Sequence, residues 1–198
     1  MDDDISVRES LEALIADVGW RPLAFSSAEA FLAHTRSAAP SCLVLDVGLP
    51  NLNGLELQKR IAGGSDLPII FLTGRGDIPM TVQAMKAGAI EFLTKPFAPD
   101  ILVKAIRNAL QHSLSSIAED ANLRALRARY ESLSHRERAV MALVVLGKLN
   151  KQVAAALGIS EVTVKGHRGR MMRKMYAKSF AELVNMADRL GLETAGKT

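Results

Sequence analysis

Three short apolar runs, each ending beside a polar side chain, constrain the fold of this chain most strongly. They are CLVLD (42–46), PIIFLT (68–73) and IEFLTKP (90–96). Each run is flanked by segments with helical periodicity. Continuous apolar strands that alternate with helices are typical of a parallel sheet covered on both faces. The first part of the chain is therefore predicted to be a doubly wound α/β domain.

Helix-period segments and glycine stops place the elements between these runs. The segment 22–25 is predicted to be a short edge strand, because its proline cannot donate a hydrogen bond to a ladder. Glycines at 19, 63–64 and 88 are expected to end helices. Helices are predicted over 6–18, 27–35, 54–62, 78–87 and 98–111.

From about residue 113 the pattern is helical throughout. Apolar residues at 123, 126, 130 and 133 form a narrow stripe. Such a stripe fits a short coiled coil or helical linker, and it fits equally well a helix that lies on its own domain.

Capping residues predict further helices after this stripe. Capping boxes are expected at Ser134–Glu137 and Ser179–Glu182, and Asn150 and Ser160 are expected to cap two helices joined by the turn LGIS. Two short helices joined in this way indicate a helix-turn-helix. We therefore divide the chain into an α/β domain (1–112), a helical linker (113–133) and an all-α helix-turn-helix domain (134–198).

Charge separates the two halves. Residues 1–112 hold 10 Lys and Arg against 13 Asp and Glu, whereas residues 113–198 hold 15 against 8. A basic second half suggests a polyanionic partner, although basic surface also serves solubility alone. No apolar run is long enough for a membrane span, no secretory signal is visible, and a single Cys42 cannot form an internal disulfide. A cytoplasmic protein is expected.

The polar ends of the three strands predict a functional site. Asp46, Thr73 and Lys95 should meet where the carboxyl ends of parallel strands lie together. Asp2 and Asp3 would join them if a strand preceded residue 2. Clustered carboxylates suit Mg²⁺, and Asp46 could attack phosphorus as a nucleophile. In the alternative interpretation, the opening acids lie in a solvated chain terminus, where their negative charge favours the N-terminus of the following helix.

These residues carry a resemblance to a known family. DDD (2–4), LDVGLPNLNG (45–54), FLTGRGD (71–77) and FLTKPF (92–97) resemble the acidic pocket, phosphoacceptor loop, switch threonine and Lys-Pro of two-component receiver domains. The stretch LSHRERAVMALVVLGKLNKQVAAALGISEVTVKGHRGRMMRKM resembles the NarL/FixJ (LuxR-type) DNA-binding domain. Within this family, the stretches GDIPMTVQAMKAGAIEFLTKPF and NKQVAAALGISEVTVK resemble the FixJ-like subgroup.

The resemblance implies roles in the first domain. Asp46 is the implied phosphoacceptor, and Thr73 and Lys95 hold the phosphoryl group. Phe92 matches the switch aromatic, and the Lys95–Pro96 bond is expected to be cis. The implied Mg²⁺ ligands are Asp2, Asp3, Asp46 and the Gly48 carbonyl, with Asp3 favoured over Asp2 as a direct ligand.

Roles in DNA binding follow for the helix 161–175. By resemblance Lys165 is the best candidate to read bases, with Arg168 a second. Gly166 and Gly169 stand where the family usually has larger side chains, so relatives do not give the operator sequence. The full set of candidate DNA-binding residues is Asn150, Lys151, Thr163, Lys165, His167, Arg168, Arg170, Lys174 and Lys178.

One departure from the family concerns the sheet. The CheY-like receiver has strand order 2-1-3-4-5 with a central first strand before the acidic pair, and here only Met1 precedes Asp2. The first strand is therefore expected to be missing. Either the true start lies upstream, which we favour because the downstream site residues are intact, or the receiver is rearranged.

The expected function is a phosphorylation-dependent transcriptional regulator. A sensor histidine kinase would phosphorylate Asp46, and the protein would form a homodimer and bind double-stranded promoter DNA. The alternative is a phosphorylation-independent DNA-binding regulator with a degenerate receiver. An enzyme is not expected, because a phosphohydrolase normally needs a general acid near the nucleophile and Gly48 stands two residues after Asp46.

Overall fold

The computed structural model describes residues 1–49, 52–62, 67–74 and 78–193. These residues divide into two compact units, with the boundary between Ile117 and Ala118. None of the described helices is long and apolar enough to cross a membrane. Along the chain, the first elements are α1 (Ile5–Asp17), α2 (Ala28–Ala33), β1 (Leu43–Asp46), α3 (Gly54–Ala62), β2 (Ile69–Thr73), α4 (Ile78–Lys86) and β3 (Glu91–Thr94). They are followed by α5 (Pro99–Glu131), α6 (His135–Val145), α7 (Asn150–Leu157), α8 (Glu161–Met175) and α9 (Phe180–Arg189).

The predicted apolar runs form one parallel sheet in the order β1-β2-β3. Leu43 pairs with Ile69, and Thr73 pairs with Thr94. This register aligns the carboxyl ends of the strands at one edge, as the sequence predicted. The expected helix stop at Gly63–Gly64 and the last three residues of the FLTGRGD motif lie outside the described residues.

Both faces of the sheet are covered. Side chains alternate along β2, so that Ile69 and Phe71 join a buried cluster with α3, whereas Ile70 and Leu72 join another with α5. Half-buried side chains of α1 complete the second cluster. This two-sided burial explains why the strands carry continuous apolar runs rather than alternating ones.

Met1 lies along the outer edge of β1. Its nitrogen donates to the Val44 carbonyl over 2.7 Å, and its carbonyl accepts from the Asp46 N–H over 2.9 Å. Two backbone groups of β1 that would otherwise lack ladder partners are thereby satisfied. The four residues before α1, Met1 to Asp4, contain no strand.

The prediction of an edge strand at Pro22–Phe25 was wrong. These residues are irregular, and the hydrogen bond found beside them joins the Asp2 N–H to the Phe25 carbonyl over 3.4 Å. A strand needs a partner of comparable length, and only Met1 and Asp2 lie in the position of the neighbouring strand.

The helix predicted over 98–111 continues much further. α5 runs without interruption for 33 residues, through the junction between the two units. It begins with Pro99, which suits a first helical position, and contains no glycine. Because no breaker lies between Pro99 and Glu131, the change in charge near residue 113 does not end the helix.

The apolar stripe after residue 113 packs on helices of its own unit. Leu126 and Leu133 are buried together with Met141, Met171 and Leu183. The alternative in which this helix lies on its own domain therefore describes the 126–133 part of the stripe. Val164 and Met175 of α8 are also buried, and Met172 is half-buried.

Three of the four predicted caps form as side-chain caps. Ser134 and Glu137 make a reciprocal capping box, and Ser160 accepts from the Thr163 N–H. Ser179 accepts from the Glu182 N–H, but the Glu182 carboxylate accepts from the Lys178 N–H rather than from that of Ser179. In this capping box, the hydrogen bond to the glutamate side chain therefore comes from the residue before the cap, Lys178.

The prediction that Asn150 caps α7 was wrong. Leu149 occupies the cap position, and its N–H donates to the Gln152 side chain. The Asn150 Oδ1 instead accepts from Arg168 Nη1 over 2.7 Å. The turn to α8 begins at Gly158, whose positive φ of 64° favours glycine.

Glu137 joins the first turn of α6 to α8. The residue is 3% exposed, and its Oε2 lies 2.7 Å from Lys174 Nζ. The Lys174 ammonium, together with the Ser134 backbone N–H, lowers the pKa of Glu137 to about 2. A carboxylate with a lowered pKa stabilises the fold above its ordinary pKa, and this stabilisation is lost as the pH falls toward the folded-state value.

We expect Glu137→Gln to lower the free energy of unfolding of the 118–198 unit by about 1–3 kcal/mol at pH 7. The difference from wild type should narrow as the pH falls from about 4.5 towards 2. Urea unfolding followed by near-UV circular dichroism of Tyr130 and Tyr176 measures this unit, since the lone Trp20 lies in the other.

Glu119→Gln provides the control, because this exposed residue of α5 carries the same charge. A Glu137→Gln loss no larger than that of the control, or a difference independent of pH, would contradict the stabilising role of the ionised carboxylate.

Candidate functional site: an acidic pocket and a basic helix

Two carboxylates of the α/β unit meet at one ammonium. Lys95 Nζ lies 2.7 Å from Asp2 Oδ2 and 2.8 Å from Asp46 Oδ1. Asp2 is 1% and Asp46 is 8% exposed. Three residues that are far apart in sequence therefore form one charged cluster, at the edge of the sheet where the sequence predicted a site.

The strands determine where these side chains lie. Asp46 is the last residue of β1, and Lys95 follows β3. The Lys95 N–H donates to the Thr73 carbonyl at the end of β2, and Lys95 Nζ contacts Asp46 at the end of β1, so that Lys95 joins all three strand ends. Asp2 reaches the cluster through the pairing of Met1 with β1. The Lys95–Pro96 peptide bond is cis, as the resemblance implied.

The remaining carboxylate oxygens are also hydrogen-bonded. Asp46 Oδ2 accepts from the Gly48 N–H over 2.8 Å, and Asp2 Oδ1 accepts from the Asp4 N–H over 3.1 Å. A Cβ on residue 48 would lie 3.1 Å from Asp46 Oδ2. Glycine at this position therefore lets the backbone approach the carboxylate closely.

Lys95 remains charged in this site. Partial burial alone lowers the pKa of Lys95, but the carboxylates of Asp2 and Asp46 outweigh burial and raise it above its ordinary value. The ammonium in turn offsets the repulsion between the two acids. The pocket thus holds two anionic oxygens beside a fixed positive charge.

The three acids at the start of the chain have different surroundings. Asp2 belongs to the pocket, and Asp4 is the N-cap of α1, accepting from the Ser6 and Val7 N–H groups. Asp3 is exposed. Asp2 therefore belongs to the charged cluster, whereas Asp4 favours the helix N-terminus as the alternative interpretation of MDDD expected.

Arg8 is a residue that the sequence reasoning missed. Its Nη1 donates to the carbonyls of Asp2 and Asp3, over 2.8 Å each, and thereby holds the acidic segment. A cation in the first turn of a helix opposes the helix dipole. That unfavourable placement is the signal in the sequence that could have identified Arg8 as a contact residue.

The donor set of the pocket fits Mg²⁺. No cluster of three or more His, Cys, Asp and Glu side chains suited to a metal occurs among the described residues. Magnesium, however, keeps several waters and is commonly held by one or two carboxylates. Asp2 and Asp46 supply two such groups with converging oxygens.

The two candidate switch residues lie on β2 and β3, the strands beside this cluster. Thr73 ends β2 and is buried. Phe92 on β3 is half-buried, and its ring centroid lies 6.1 Å from that of Phe71. The two strands are adjacent, and Thr73 pairs with Thr94, two residues after Phe92.

The candidate DNA-binding residues fall into two groups in the helical unit. Arg168 pairs with Asn150, whereas Arg170 and Lys174 contact Glu137. These side chains link α8 to its neighbours. Lys151, Thr163, Lys165 and Lys178 are exposed and make none of these contacts. Arg170 and Lys174 are exposed as well, and His167 is half-exposed.

The glycines of α8 do not interrupt the helix. A Cβ on Gly169 would meet nothing within 4 Å, and one on Gly166 would lie 3.7 Å from Arg170 Nη1. Packing within the described residues therefore does not require glycine at either position.

Comparison with known families finds one family model towards each end of the chain. The model of the response regulator receiver domain matches residues 1–107, and that of the luxR family of bacterial regulatory proteins matches residues 131–187. Nodulation protein W of Bradyrhizobium diazoefficiens is 48% identical over 97% of this chain and 85% of its own length. The transcriptional regulatory protein FixJ of Rhizobium meliloti is 41% identical over 94% of this chain and 92% of its own length.

Solved structures agree with this assignment. The response regulator StyR is 45% identical and superposes with a TM-score of 0.80, over 96% of each chain. Full-length FixJ from B. japonicum is 39% identical with a TM-score of 0.55, over 98% of this chain and 96% of its own. The receiver-type sheet, the helix-turn-helix and these matches show that the chain belongs to the two-component response regulators with a LuxR-type DNA-binding domain, a family of transcription regulators and not of enzymes.

Proposed function

We propose that this protein is a phosphorylation-dependent transcription regulator that accepts a phosphoryl group on Asp46 and binds promoter DNA through α8. A sensor histidine kinase is the proposed donor, and the cytoplasm is the proposed place of action. The observation that carries the proposal is the contact of Lys95 Nζ with both Asp2 and Asp46 at the edge of the sheet.

In the proposed transfer, an Asp46 carboxylate oxygen attacks the phosphorus of a kinase phosphohistidine. A P–O bond forms and the P–N bond breaks, and the imidazole leaves with the electron pair and takes up a proton from water. Lys95 binds a phosphoryl oxygen through its ammonium, and Thr73 binds another through its hydroxyl. The Gly48 N–H keeps Asp46 oriented through its hydrogen bond to Oδ2.

Magnesium would be held by Asp2, Asp3, Asp46 and the Gly48 carbonyl. When bound, it would supply positive charge that offsets the repulsion between the carboxylates and the incoming phosphoryl group. The fixed ammonium of Lys95 contributes charge of the same sign on the protein itself.

Dimerisation is the proposed consequence of phosphorylation. A phosphoryl group on Asp46 would draw the Thr73 hydroxyl towards it, and Phe92 would change its rotamer and alter the α4–β3–α5 surface. Three apolar side chains of α4, Ile78, Val82 and Met85, are 81%, 44% and 43% exposed. Exposed apolar area of this kind supports a protein contact there.

Binding of DNA by a dimer would use two copies of α8 on paired half-sites. Joining two DNA-binding units raises affinity through the effective concentration of the second unit. The exposed Lys165 is the proposed base-reading residue.

We expect incubation with acetyl phosphate and Mg²⁺ to add one phosphoryl group to the wild-type chain and none to Asp46→Asn. The amide is a poor nucleophile, and the substitution also removes one carboxylate beside Lys95. Intact-protein mass spectrometry measures the adduct directly.

Asp17→Asn is the matched control, because this exposed aspartate ends α1, and it should be phosphorylated like wild type. A folded wild-type protein without an adduct, or an adduct retained in Asp46→Asn, would contradict the proposed acceptor. DNA affinity that is the same with and without the adduct would instead support the phosphorylation-independent alternative.

We expect Lys165→Ala to weaken binding to an operator selected from random DNA by about 5- to 150-fold, since a good contact to a base edge contributes about 1–3 kcal/mol. Fluorescence anisotropy at one fixed salt concentration measures the change. Lys104→Ala, on the exposed face of α5, removes the same charge from the other unit. Equal losses in the two variants would contradict a base contact by Lys165.

A further inference from the structure

Three side chains connect the interior of the helical unit to the surface of α8. Glu137 is buried, and its Oε1 lies 3.4 Å from Arg170 Nε. Arg170 Nη2 lies 3.0 Å from His167 Nδ1. The guanidinium therefore touches the buried carboxylate with one nitrogen and the imidazole with another.

The chemistry of arginine determines which nitrogen of His167 carries the proton. A guanidinium has donors and no acceptor, so Arg170 donates and Nδ1 accepts. A neutral imidazole that accepts at Nδ1 must carry its proton at Nε2. The ring thus presents a hydrogen-bond donor at Nε2.

Glu137 orients the guanidinium of Arg170. Its carboxylate holds the guanidinium by one edge, and its second oxygen is engaged by Lys174 at 2.7 Å. A guanidinium whose Nε edge faces a buried carboxylate keeps its remaining N–H groups in a fixed direction, because its five donors form one planar fork. Here the oriented ring lies on a helix that the chain's family uses to contact DNA.

The position of His167 on α8 suits a DNA contact. Thr163, His167 and Arg170 follow one another at spacings of four and three residues and therefore share one helix face. His167 is half-exposed and Thr163 is exposed. In the major groove, purine N7 and guanine O6 are acceptors, as are the phosphate oxygens beside it.

We propose that Glu137 and Arg170 are positioning residues that fix His167 as an Nε2–H donor to a hydrogen-bond acceptor of operator DNA. The proposal rests on the proposed DNA-reading role of α8 and adds a second reading residue to Lys165. We call the contacts from Glu137 to Arg170 and from Arg170 to His167 the relay. Because of the relay, His167 presents its Nε2–H donor in the free protein, before DNA binds.

The relay is tested first without DNA, by two-bond ¹H–¹⁵N correlation spectra of the histidine rings in the full-length protein. We expect His167 in wild type to be essentially all Nε2–H, and to become a mixture of tautomers in Arg170→Leu. Arg173→Leu is the control, because Arg173 contacts the Gly169 carbonyl within α8 and has the same charge. An Nδ1–H ring in wild type, or the same tautomer population in Arg170→Leu, would overturn the relay.

The DNA contact is tested by anisotropy with His167→Gln and His167→Asn on the selected operator. The glutamine amide can place a donor near the position of Nε2, whereas the asparagine amide lies near that of Nδ1. We expect glutamine to retain affinity within about threefold and asparagine to lose about tenfold, the effect of one hydrogen bond. A His167→Asn variant that binds as tightly as wild type would overturn the contact.

Modified operators identify the acceptor. If His167 donates to purine N7, the difference between His167→Asn and wild type should vanish on DNA with 7-deazapurine at one position. If it donates to phosphate, the difference should vanish on DNA with a methylphosphonate at one linkage. A wild-type chain that selects no DNA would overturn the proposed function, and with it this role, whereas equal binding by His167→Asn overturns only this role.

Discussion

The α/β unit depends on the ammonium of Lys95 between two buried carboxylates. Two acids that share a site repel one another, and burial raises the cost of each charge. Lys95 offsets both effects for Asp2 and Asp46, with contacts of 2.7 and 2.8 Å. Because these residues come from three separated segments, the contacts require the parallel register of β1, β2 and β3. The chemistry of the pocket and the order of the sheet are therefore two aspects of one constraint.

The sequence predicted the sheet well because each strand is buried on both faces. A continuous apolar run such as PIIFLT records that burial locally, so β1, β2 and β3 could be recognised without knowledge of their partners. The segment 22–25 shows the limit of this reasoning. Its composition suits a strand, but a strand also needs a neighbour, and pairing is a property of distant residues that a local pattern does not contain.

The same limit applies to the site and to the helical unit. Asp46 and Lys95 were found because strand ends collect functional groups, whereas Arg8 was missed because it acts through backbone carbonyls. Local Ser-x-x-Glu spacing identified the box at Ser134 and Glu137. It did not reveal that Glu137 also contacts Lys174 on α8, or that the Asn150 side chain bonds to Arg168 and leaves the cap to Leu149.

The first part of α5 has a fixed angular phase within its own unit. Leu102, Ile106 and Ala109 lie on one face of the helix and pack in the core of the first unit. Each residue added to an α-helix turns everything after it by about 100°. A one-residue insertion between Leu102 and Ile106 would therefore rotate Ile106 and Ala109 away from this core, whereas an insertion of about seven residues would nearly restore their direction. The number of residues in this part of the helix thus matters as much as their identity.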